Sequence, residues 1–203
     1  MNHKSEIINS FMKQRAIFLD RDGVINVNRP DHVKSWDEFD FLPNVLSALR
    51  KLATSDFRVI VTTNQSAIAR GLVAEETVRE IHAQMIVAVE RGGGRIDAVY
   101  FCPHHPDDKC GCRKPQPGLF VQAARDFEID LARSFVIGDA FSDVATALAI
   151  GAQPILVLTG RGRAQHAEMT ANDHTGHQVA DDLLGAVEWI LRAEGPCGKE
   201  GKS

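Results

Sequence analysis

The sequence predicts an α/β fold in which a mostly parallel sheet of about five strands lies between two layers of helices. Three observations support this prediction. Short apolar runs of strand length recur along the chain, segments with helical periodicity separate them, and polar or acidic residues directly follow several of the runs. Alternating strands and helices produce parallel strands with helices on both faces of the sheet. The polar residues then lie at the carboxyl ends of the strands, where α/β proteins carry their sites.

Five apolar runs have the length and composition of buried strands. In chain order, they are Ala16–Leu19, Val59–Thr62, Ala98–Phe101, Phe135–Ile137 and Ile155–Leu158. Five other segments have the spacing of amphipathic helices. In chain order, they are Val45–Ala53, Glu75–Glu90, Leu119–Phe127, Val144–Ile150 and Asp182–Ala193. Glycines end two of these helices, Gly92–Gly94 the second and Gly151 the fourth, and we expect Thr170–Gly176 to form a loop.

The composition is typical of one globular domain, with 44% hydrophobic and 25% charged residues among 203. We expect this domain at residues 16–194, after an N-terminal extension at 1–15 and before a disordered tail at 195–203. The net charge of −4 gives no support for nucleic-acid binding. The first 15 residues lack the apolar core of a signal peptide, and no apolar stretch reaches the roughly 20 residues of a membrane span. We therefore expect a cytoplasmic monomer that binds neither nucleic acid nor membranes.

Two carboxylates, Asp20 and Asp22, follow the first predicted strand and precede a glycine. Residues two apart in an extended segment face the same side, so both carboxylates can converge on one point. Two anions held that close repel each other unless a cation or a shared proton compensates them. The pair therefore suits a hard divalent ion, with one carboxylate as nucleophile and the other as acid/base. The alternative is that the two acids simply occupy a surface turn.

Polar residues that suit a phosphate group follow the second predicted strand. Thr63, Asn64, Gln65 and Ser66 offer hydroxyls, amides and backbone N–H groups to phosphate oxygens. The same kind of segment can instead cap the helix that follows it.

Charged residues follow the cysteine-rich segment and the fourth predicted strand. Arg113 and Lys114 supply cations opposite the acidic pair, unless they form an ordinary solvated surface. Asp139 and Asp143 follow the fourth strand, and one of them can bind a metal while the other caps the next helix. We favour Asp139 as the ligand because it directly follows its strand, as Asp20 does.

Three of the four cysteines lie within eleven residues, a spacing that indicates metal binding in a reducing compartment rather than a disulfide framework. The expected ligands are Cys102, His104, Cys110 and Cys112, with His105 as a competing imidazole. Three thiolates and one imidazole match a closed, tetrahedral zinc site with a structural role. Bound zinc would brace this loop and position the residues that follow it. Buried cysteines without metal are the alternative.

The order of these motifs resembles the haloacid dehalogenase (HAD) superfamily. An acidic pair, a threonine, a lysine and Gly-Asp-x3-Asp occur at successive predicted strand ends between Ala16 and Leu158. The resemblance implies a Rossmann-like, three-layer phosphatase that uses Mg²⁺ and passes through an aspartyl-phosphate. Asp20 would attack phosphorus, and Asp22 would protonate the leaving oxygen and then deprotonate the hydrolytic water.

The same resemblance implies roles for the remaining polar residues. Thr63 and Lys114 would neutralise the transferring phosphoryl group, and Asp139, with Asp20 and the Asp22 carbonyl, would hold the Mg²⁺. The intervals between the acidic pair, Thr63 and Lys114 are too short for the separate cap domain of many HAD enzymes. We therefore expect an open, capless site whose substrate is selected by three loops. These are Asn28–Asp31, Ser66–Gly71 and the zinc-bound loop.

Within the superfamily, four longer motifs resemble the branch that contains heptose 1,7-bisphosphate 7-phosphatases and histidinol-phosphate phosphatases. They are Asp20–Asn26, Thr63–Gly71, Cys102–Pro106 and Cys112–Gly118. The resemblance implies a small phosphorylated sugar as substrate, with histidinol phosphate or another small monoester as the alternative. It places substrate contacts at Asn28, Arg29, Pro30, Asp31, Thr63, Asn64, Gln65, Ser66, Arg113 and Lys114.

Two departures from that branch concern the identity of the sugar. Ala140 stands where those enzymes carry a substrate-contacting lysine, and Asn28–Asp31 differs from their usual Gly-Tyr-containing loop. Two non-enzymatic alternatives remain. A receiver-type phospho-switch carries its acceptor aspartate on an interior strand and has no nucleophile on the first strand. A zinc-knuckle interaction module would leave the acidic pair, Thr63, Lys114 and Asp139 unexplained.

Overall fold

The computed structural model describes residues 13–174 and 176–194, and a parallel sheet forms the centre of this part of the chain. Its strands are β1 (Ala16–Leu19), β2 (Arg58–Asn64), β3 (Ala98–Cys102), β4 (Phe135–Gly138), β5 (Gln153–Val157) and β6 (Gln178–Ala180). The spatial order is β3-β2-β1-β4-β5-β6, and every neighbouring pair is parallel. The five expected strands are confirmed, and the short β6 adds a sixth strand at the edge.

Helices alternate with the strands. They are α1 (Val45–Ala53), α2 (Glu75–Arg91), α3 (Gly118–Asp126), α4 (Phe141–Ala149), α5 (Gly162–Ala171) and α6 (Leu183–Ala193). Short 3₁₀ helices occupy Trp36–Glu38, Pro106–Asp108 and Leu131–Arg133. The expected loop at Thr170–Gly176 is wrong in its first two residues, because α5 continues to Ala171. This helix buries only Gly162 and Met169, so its sequence carries little of the apolar periodicity that reveals a helix.

Successive residues of β1 point to opposite faces of the sheet, and each face has its own core. Ile17 and Leu19 belong to a core shared with residues of α1, α2 and α6. Ala16 and Phe18 belong to the opposite core, which contains residues of α3 and α4. The chain therefore forms the expected three layers, and β1 is buried on both sides, which explains its continuous apolar sequence.

The strand order reverses direction at β1. The chain runs outward from β1 to β2 and β3 and then returns to the other side of β1 with β4. Ligands of open α/β sheets bind at such a reversal, in the crevice beyond the carboxyl ends of the strands. Within the described residues, the intervals β1–β2 and β2–β3 contain α1, α2, the 3₁₀ helix at Trp36–Glu38 and loops but no separate cap domain.

The expected terminal segments lie mostly beyond this part of the chain. Residues 1–12 of the N-terminal extension and the whole tail at 195–203 are outside the described residues. No helix in the described ranges combines the length and the apolar character needed to cross a membrane.

Candidate active site

Asp20 lies at the crevice between β1 and β4. Its backbone N–H donates to the Ile137 carbonyl (2.9 Å), which extends the pairing of these strands by one residue. Asp20 Oδ1 accepts a hydrogen bond from Arg21 N (2.7 Å) and lies 3.0 Å from Lys114 Nζ. The backbone and one cation therefore fix the orientation of this carboxylate at the floor of the crevice.

Hydrogen bonds hold both oxygens of Asp22. Arg21 Nη2 and Asn26 Nδ2 donate to Oδ1 at 3.0 and 2.9 Å, and Gln65 Nε2 donates to Oδ2 at 2.9 Å. Burial alone would raise the pKa of Asp22, but the Arg21 charge and these three hydrogen bonds outweigh burial and lower the pKa. Asp22 is therefore a carboxylate of fixed orientation, held in its ionised form.

The guanidinium that holds Asp22 is itself buried, since Arg21 is 1% exposed. Arg21 Nη1 lies 3.0 Å from Nε2 of His82 on α2. Because arginine can only donate, His82 Nε2 must accept, and the imidazole is neutral in this contact. Burial lowers the pKa of His82 to about 3, and the charge of Arg21 contributes to that shift. A helix behind the sheet thus supports the loop that carries the acidic pair.

Lys114 is buried among oxygen atoms on the other side of Asp20. Its Nζ lies 3.0 Å from Asp20 Oδ1 and 2.6 Å from Asp143 Oδ1, and it donates to the Thr62 carbonyl at 2.8 Å. Burial lowers the pKa of Lys114, but the two carboxylates outweigh burial, so the net shift is upward. The Asn64 side chain accepts from Lys114 N (3.0 Å) and donates to its carbonyl (3.2 Å), which attaches the lysine loop to β2.

Three buried acids meet beyond β1 and β4. Asp20, Asp139 and Asp143 each offer an oxygen within 4.8 Å of the others, an arrangement that could hold a metal ion. Asp143 also caps α4, because its Oδ2 accepts from Ala140 N at 3.2 Å. Burial is the main cause that raises the pKa of Asp139, with the Asp20 charge adding to it, and burial raises the pKa of Asp143 to about 7. A hard divalent cation would stabilise the ionised forms of three buried carboxyl groups that lie this close together.

A cavity of about 250 Å³ lies beside this cluster, and Asp20 is the one of the three acids that lines it. The expected residues that line it are Asp20, Asp22, Asn28, Arg29, Thr63, Asn64, Ser66, Arg113 and Lys114. Pro30, Asp31 and Gln65 are expected contacts that do not line the cavity. Gln65 instead donates to Asp22 and to Thr63 Oγ1 (2.9 Å), and Asp31 pairs with Arg29 and Lys34 in an exposed loop.

Several cavity residues have little or no distinguishing signal in the sequence. Arg21, His32, Ser142 and Arg161 all line the cavity. Arg161 Nη2 lies 3.1 Å from Asp139 Oδ1, although the two residues are 22 positions apart. An isolated arginine in a loop is normally a solvated surface residue, so only the folding of β5 against β4 reveals its place. For Arg21, the sequence offers one hint, which is its position between Asp20 and Asp22.

The cysteine cluster lies at the end of β3. Cys102, His104, Cys110 and Cys112 bring one ligand atom each within 4.8 Å of the others. Cys112 Sγ lies 3.1 Å from Cys102 Sγ and 3.6 Å from Cys110 Sγ, and His104 Nδ1 lies 3.2 Å from Cys112 Sγ. Tetrahedral zinc separates sulfur ligands by about 3.8 Å, so small movements would complete such a site. His105 instead uses Nδ1 to cap the 3₁₀ helix at Pro106–Asp108, and the geometry favours His104 over it.

Comparisons with known proteins agree with this arrangement. The HAD-hydrolase-like family model matches residues 111–186. A D-glycero-beta-D-manno-heptose-1,7-bisphosphate 7-phosphatase of Bordetella bronchiseptica is 42% identical over 178 residues, covering 88% of this chain and 98% of the relative. The enzyme of that name from Pseudomonas aeruginosa is 39% identical over 181 residues, covering 89% of this chain and 100% of the relative.

A solved structure extends the similarity to the fold. The crystal structure of D,D-heptose 1,7-bisphosphate phosphatase from B. bronchiseptica, complexed with magnesium and phosphate, superposes with a TM-score of 0.82 at 40% identity. The match covers 88% of this chain and 99% of that one. The chain therefore belongs to the HAD-like phosphatase family that includes these D-glycero-beta-D-manno-heptose-1,7-bisphosphate 7-phosphatases.

Proposed function

We propose that the protein is a magnesium-dependent phosphatase that removes the 7-phosphate of D-glycero-D-manno-heptose 1,7-bisphosphate through an aspartyl-phosphate on Asp20. The observation that carries the proposal is the meeting of Asp20, Asp139, Asp143 and Lys114 beyond β1 and β4. Relatives that align over most of the chain are named for this reaction. The proposal places the enzyme in carbohydrate metabolism, at a step of lipopolysaccharide biosynthesis.

Asp20 is suited to attack phosphorus because it faces the cavity in a fixed orientation. A carboxylate and a phosphate dianion repel each other, so positive charge must offset the approach. Lys114 supplies such a charge from 3.0 Å, and Thr63 places a hydroxyl on the same wall. Both groups become more effective as charge spreads over the equatorial oxygens of the phosphoryl group.

Asp22 serves as the acid and then the base in this scheme. The incoming phosphate dianion raises the proton affinity of Asp22 by like-charge repulsion, so the carboxyl group can carry the proton that the leaving oxygen needs. The resulting carboxylate then accepts a proton from the water that splits the aspartyl-phosphate. Arg21, Asn26 and Gln65 keep the group aligned through both steps.

The residues that would hold Mg²⁺ are Asp20, Asp139 and the backbone carbonyl of Asp22. Carboxylate and carbonyl oxygens are the ligands this ion prefers, and Asp20 and Asp139 bring carboxylate oxygens within 4.8 Å of each other. When bound, the ion supplies charge neutralisation and orients the phosphate. Asp143, which contacts Lys114 and caps α4, is placed to orient that lysine.

Structural zinc held by Cys102, His104, Cys110 and Cys112 completes the proposal. The ligand atoms already lie near tetrahedral separations, and the loop that follows them carries Lys114. Zinc here would leave no open coordination position, so it would stabilise the loop and take no part in the chemistry. The cysteine spacing indicates metal binding in a reducing compartment, and we place the enzyme in the cytoplasm as a monomer.

The charge of the cavity supports a bisphosphate as substrate. Arg29, Arg113 and Arg161 line it in addition to Lys114, and Arg113 Nη1 is buried without a hydrogen-bond partner among the described residues. A guanidinium fork suits a second anionic group on the same substrate. Histidinol phosphate, the second candidate, presents a cationic amine and an imidazole at its far end and would leave Arg113 without an anionic partner.

Phosphate release from three substrates tests the proposal. The heptose 1,7-bisphosphate, histidinol phosphate and p-nitrophenyl phosphate are compared with Mg²⁺ and with EDTA. We expect the bisphosphate to give the highest kcat/KM and EDTA to abolish turnover reversibly. Asp20→Asn keeps the shape of the side chain but loses its charge, so turnover should fall at least about a thousandfold.

Asp181→Asn is the matched control, because Asp181 is exposed and lies beyond the edge strand β6. It should retain wild-type turnover. Near-normal activity in folded Asp20→Asn would remove Asp20 as the nucleophile, and a clear preference for histidinol phosphate would overturn the heptose assignment alone. Absence of turnover with every phosphomonoester would overturn the enzyme assignment.

A further inference from the structure

Arg161 connects the cavity to the acid cluster. It stands at the start of α5, and its side chain is 56% exposed while its partner, the side chain of Asp139, is 0% exposed. Nη2 lies 3.1 Å from Asp139 Oδ1, and Nε lies 3.4 Å from Oδ2. A solvated arginine thus contacts a buried acid that is also a candidate metal ligand.

The guanidinium contact is not what holds this loop in place. The backbone N–H of Arg161 donates to Asp139 Oδ2 at 2.8 Å, and Thr159 Oγ1 donates to the Gly23 carbonyl at 2.6 Å. Gly160 has a φ of +54° and packs so closely that a Cβ would collide with the Asp139 carboxylate. The backbone therefore fixes the position of the loop, and the long side chain remains able to take another orientation.

A divalent ion and the guanidinium would compete for Asp139. Both are cations that need the oxygens of this carboxylate, and like charges repel at such distances. Once it is displaced, the guanidinium stays on the wall that Arg113 and Arg29 also line. Lys114 already supplies a positive charge beside a phosphate on Asp20. The released guanidinium of Arg161 is therefore available for a second anionic group.

We propose that Arg161 is a specificity-determining residue that leaves Asp139 when a divalent ion binds and then receives the second anionic group of the substrate. This role rests on the proposed phosphatase function and adds a residue to it. It also makes substrate recognition depend on the metal, because the guanidinium is held by Asp139 until the ion takes its place.

Two measurements on Arg161→Ala test the exchange. Calorimetric titration of the substrate-free protein with MgCl₂ should give up to about fivefold tighter binding than in the wild type, the factor expected when a half-exposed ion pair no longer competes. The kcat/KM for heptose 1,7-bisphosphate should fall about tenfold or more, as for loss of a charged hydrogen bond. The kcat/KM for the heptose 7-monophosphate, which lacks the second anion, should change little.

Arg163→Ala is the matched control, because Arg163 is exposed on the same helix, and it should leave both measurements unchanged. Arg161→Gln provides a second variant that keeps polarity if the alanine variant is unstable. Unchanged Mg²⁺ affinity would overturn the exchange, and equal losses on both sugars would overturn the specificity role. A wild-type protein that hydrolyses neither sugar would instead refute the proposed function, while the titration would still decide whether Arg161 competes with Mg²⁺.

Discussion

His82 offers a sharp test of how the acidic pair is supported. The imidazole accepts from Arg21, is 5% exposed and packs edge-on against Phe101 with ring centroids 5.4 Å apart. Its pKa is lowered to about 3 from 6.5, chiefly by burial and further by Arg21. Between pH 6.5 and about 3, the His82 imidazole is protonated in the unfolded chain but neutral in the folded protein. The free energy of unfolding therefore falls as the pH is lowered through this range.

The size of the effect follows from the shift. Between pH 6.5 and 3, each unit of acidification lowers the free energy of unfolding by about 1.4 kcal/mol. Lowering the pH from 7.5 to 4.5 should therefore lower it by about 2.5 kcal/mol through His82 alone. Carboxylates also titrate in this range, and a variant isolates the histidine. His82→Gln retains an acceptor for Arg21 but cannot be protonated. It should therefore lose about 2.5 kcal/mol less than the wild type between the two pH values.

Urea unfolding at pH 7.5 and 4.5 measures this difference, which corresponds to roughly 1 M in midpoint for a protein of this size. His32→Gln is the control, because it removes a half-buried histidine from the cavity wall and leaves the contact between His82 and Arg21 in place. Equal pH dependence in the wild type and His82→Gln would refute the argument. The imidazole would then accept a proton in the folded state, and its contact with the guanidinium could not be the one described.

Three further changes probe other parts of the site. Gly160→Ala combines a left-handed backbone with a collision at Asp139. We expect it to lose about 2–4 kcal/mol in unfolding free energy and to bind Mg²⁺ more weakly by calorimetry. The control is Gly71→Ala, which is also left-handed but has open space around it and should lose stability only. Metal analysis of purified wild-type protein should find about one zinc per chain. Cys110→Ser should remove this zinc and raise KM. Asn64→Ala removes two hydrogen bonds to the lysine loop, and kcat should fall with a loss of about 1–3 kcal/mol in thermal unfolding.

Local sequence predicted the parts of the fold whose signal lies within a few residues. β1, β2, β4 and β5 are apolar because both sheet faces are covered there, and β3 is apolar although it is half-buried over most of its length. The helices α1 and α2 carry clear amphipathic spacing. The missed elements are α5 and β6. The helix buries two residues, and the three residues of β6 are all half-buried, so neither has a pattern that separates it from a loop.

The candidate site divides in the same way. Motifs named Asp20, Asp139 and Lys114, which the structure places together beyond β1 and β4, and the cysteine cluster, which forms a separate group at the end of β3. The supporting contacts could not be predicted, because they join residues far apart in the chain. His82 reads as one more residue of an amphipathic helix, and Gln65 gives no sign that its amide turns inward to Asp22.

The strand order has a consequence for how the chain is made. Synthesis delivers β1, β2 and β3 first, and these are the strands of one half of the finished sheet, with α1 and α2 between them in the chain. The other half begins only at β4, so the inner edge of β1 stays bare for a few seconds of translation. During that interval the edge of β1 beside Asp20 has no neighbouring strand with which to form hydrogen bonds. Pairing of β1 with β4 covers this edge and brings Asp139 close to Asp20, so the same step completes the sheet and the acid cluster.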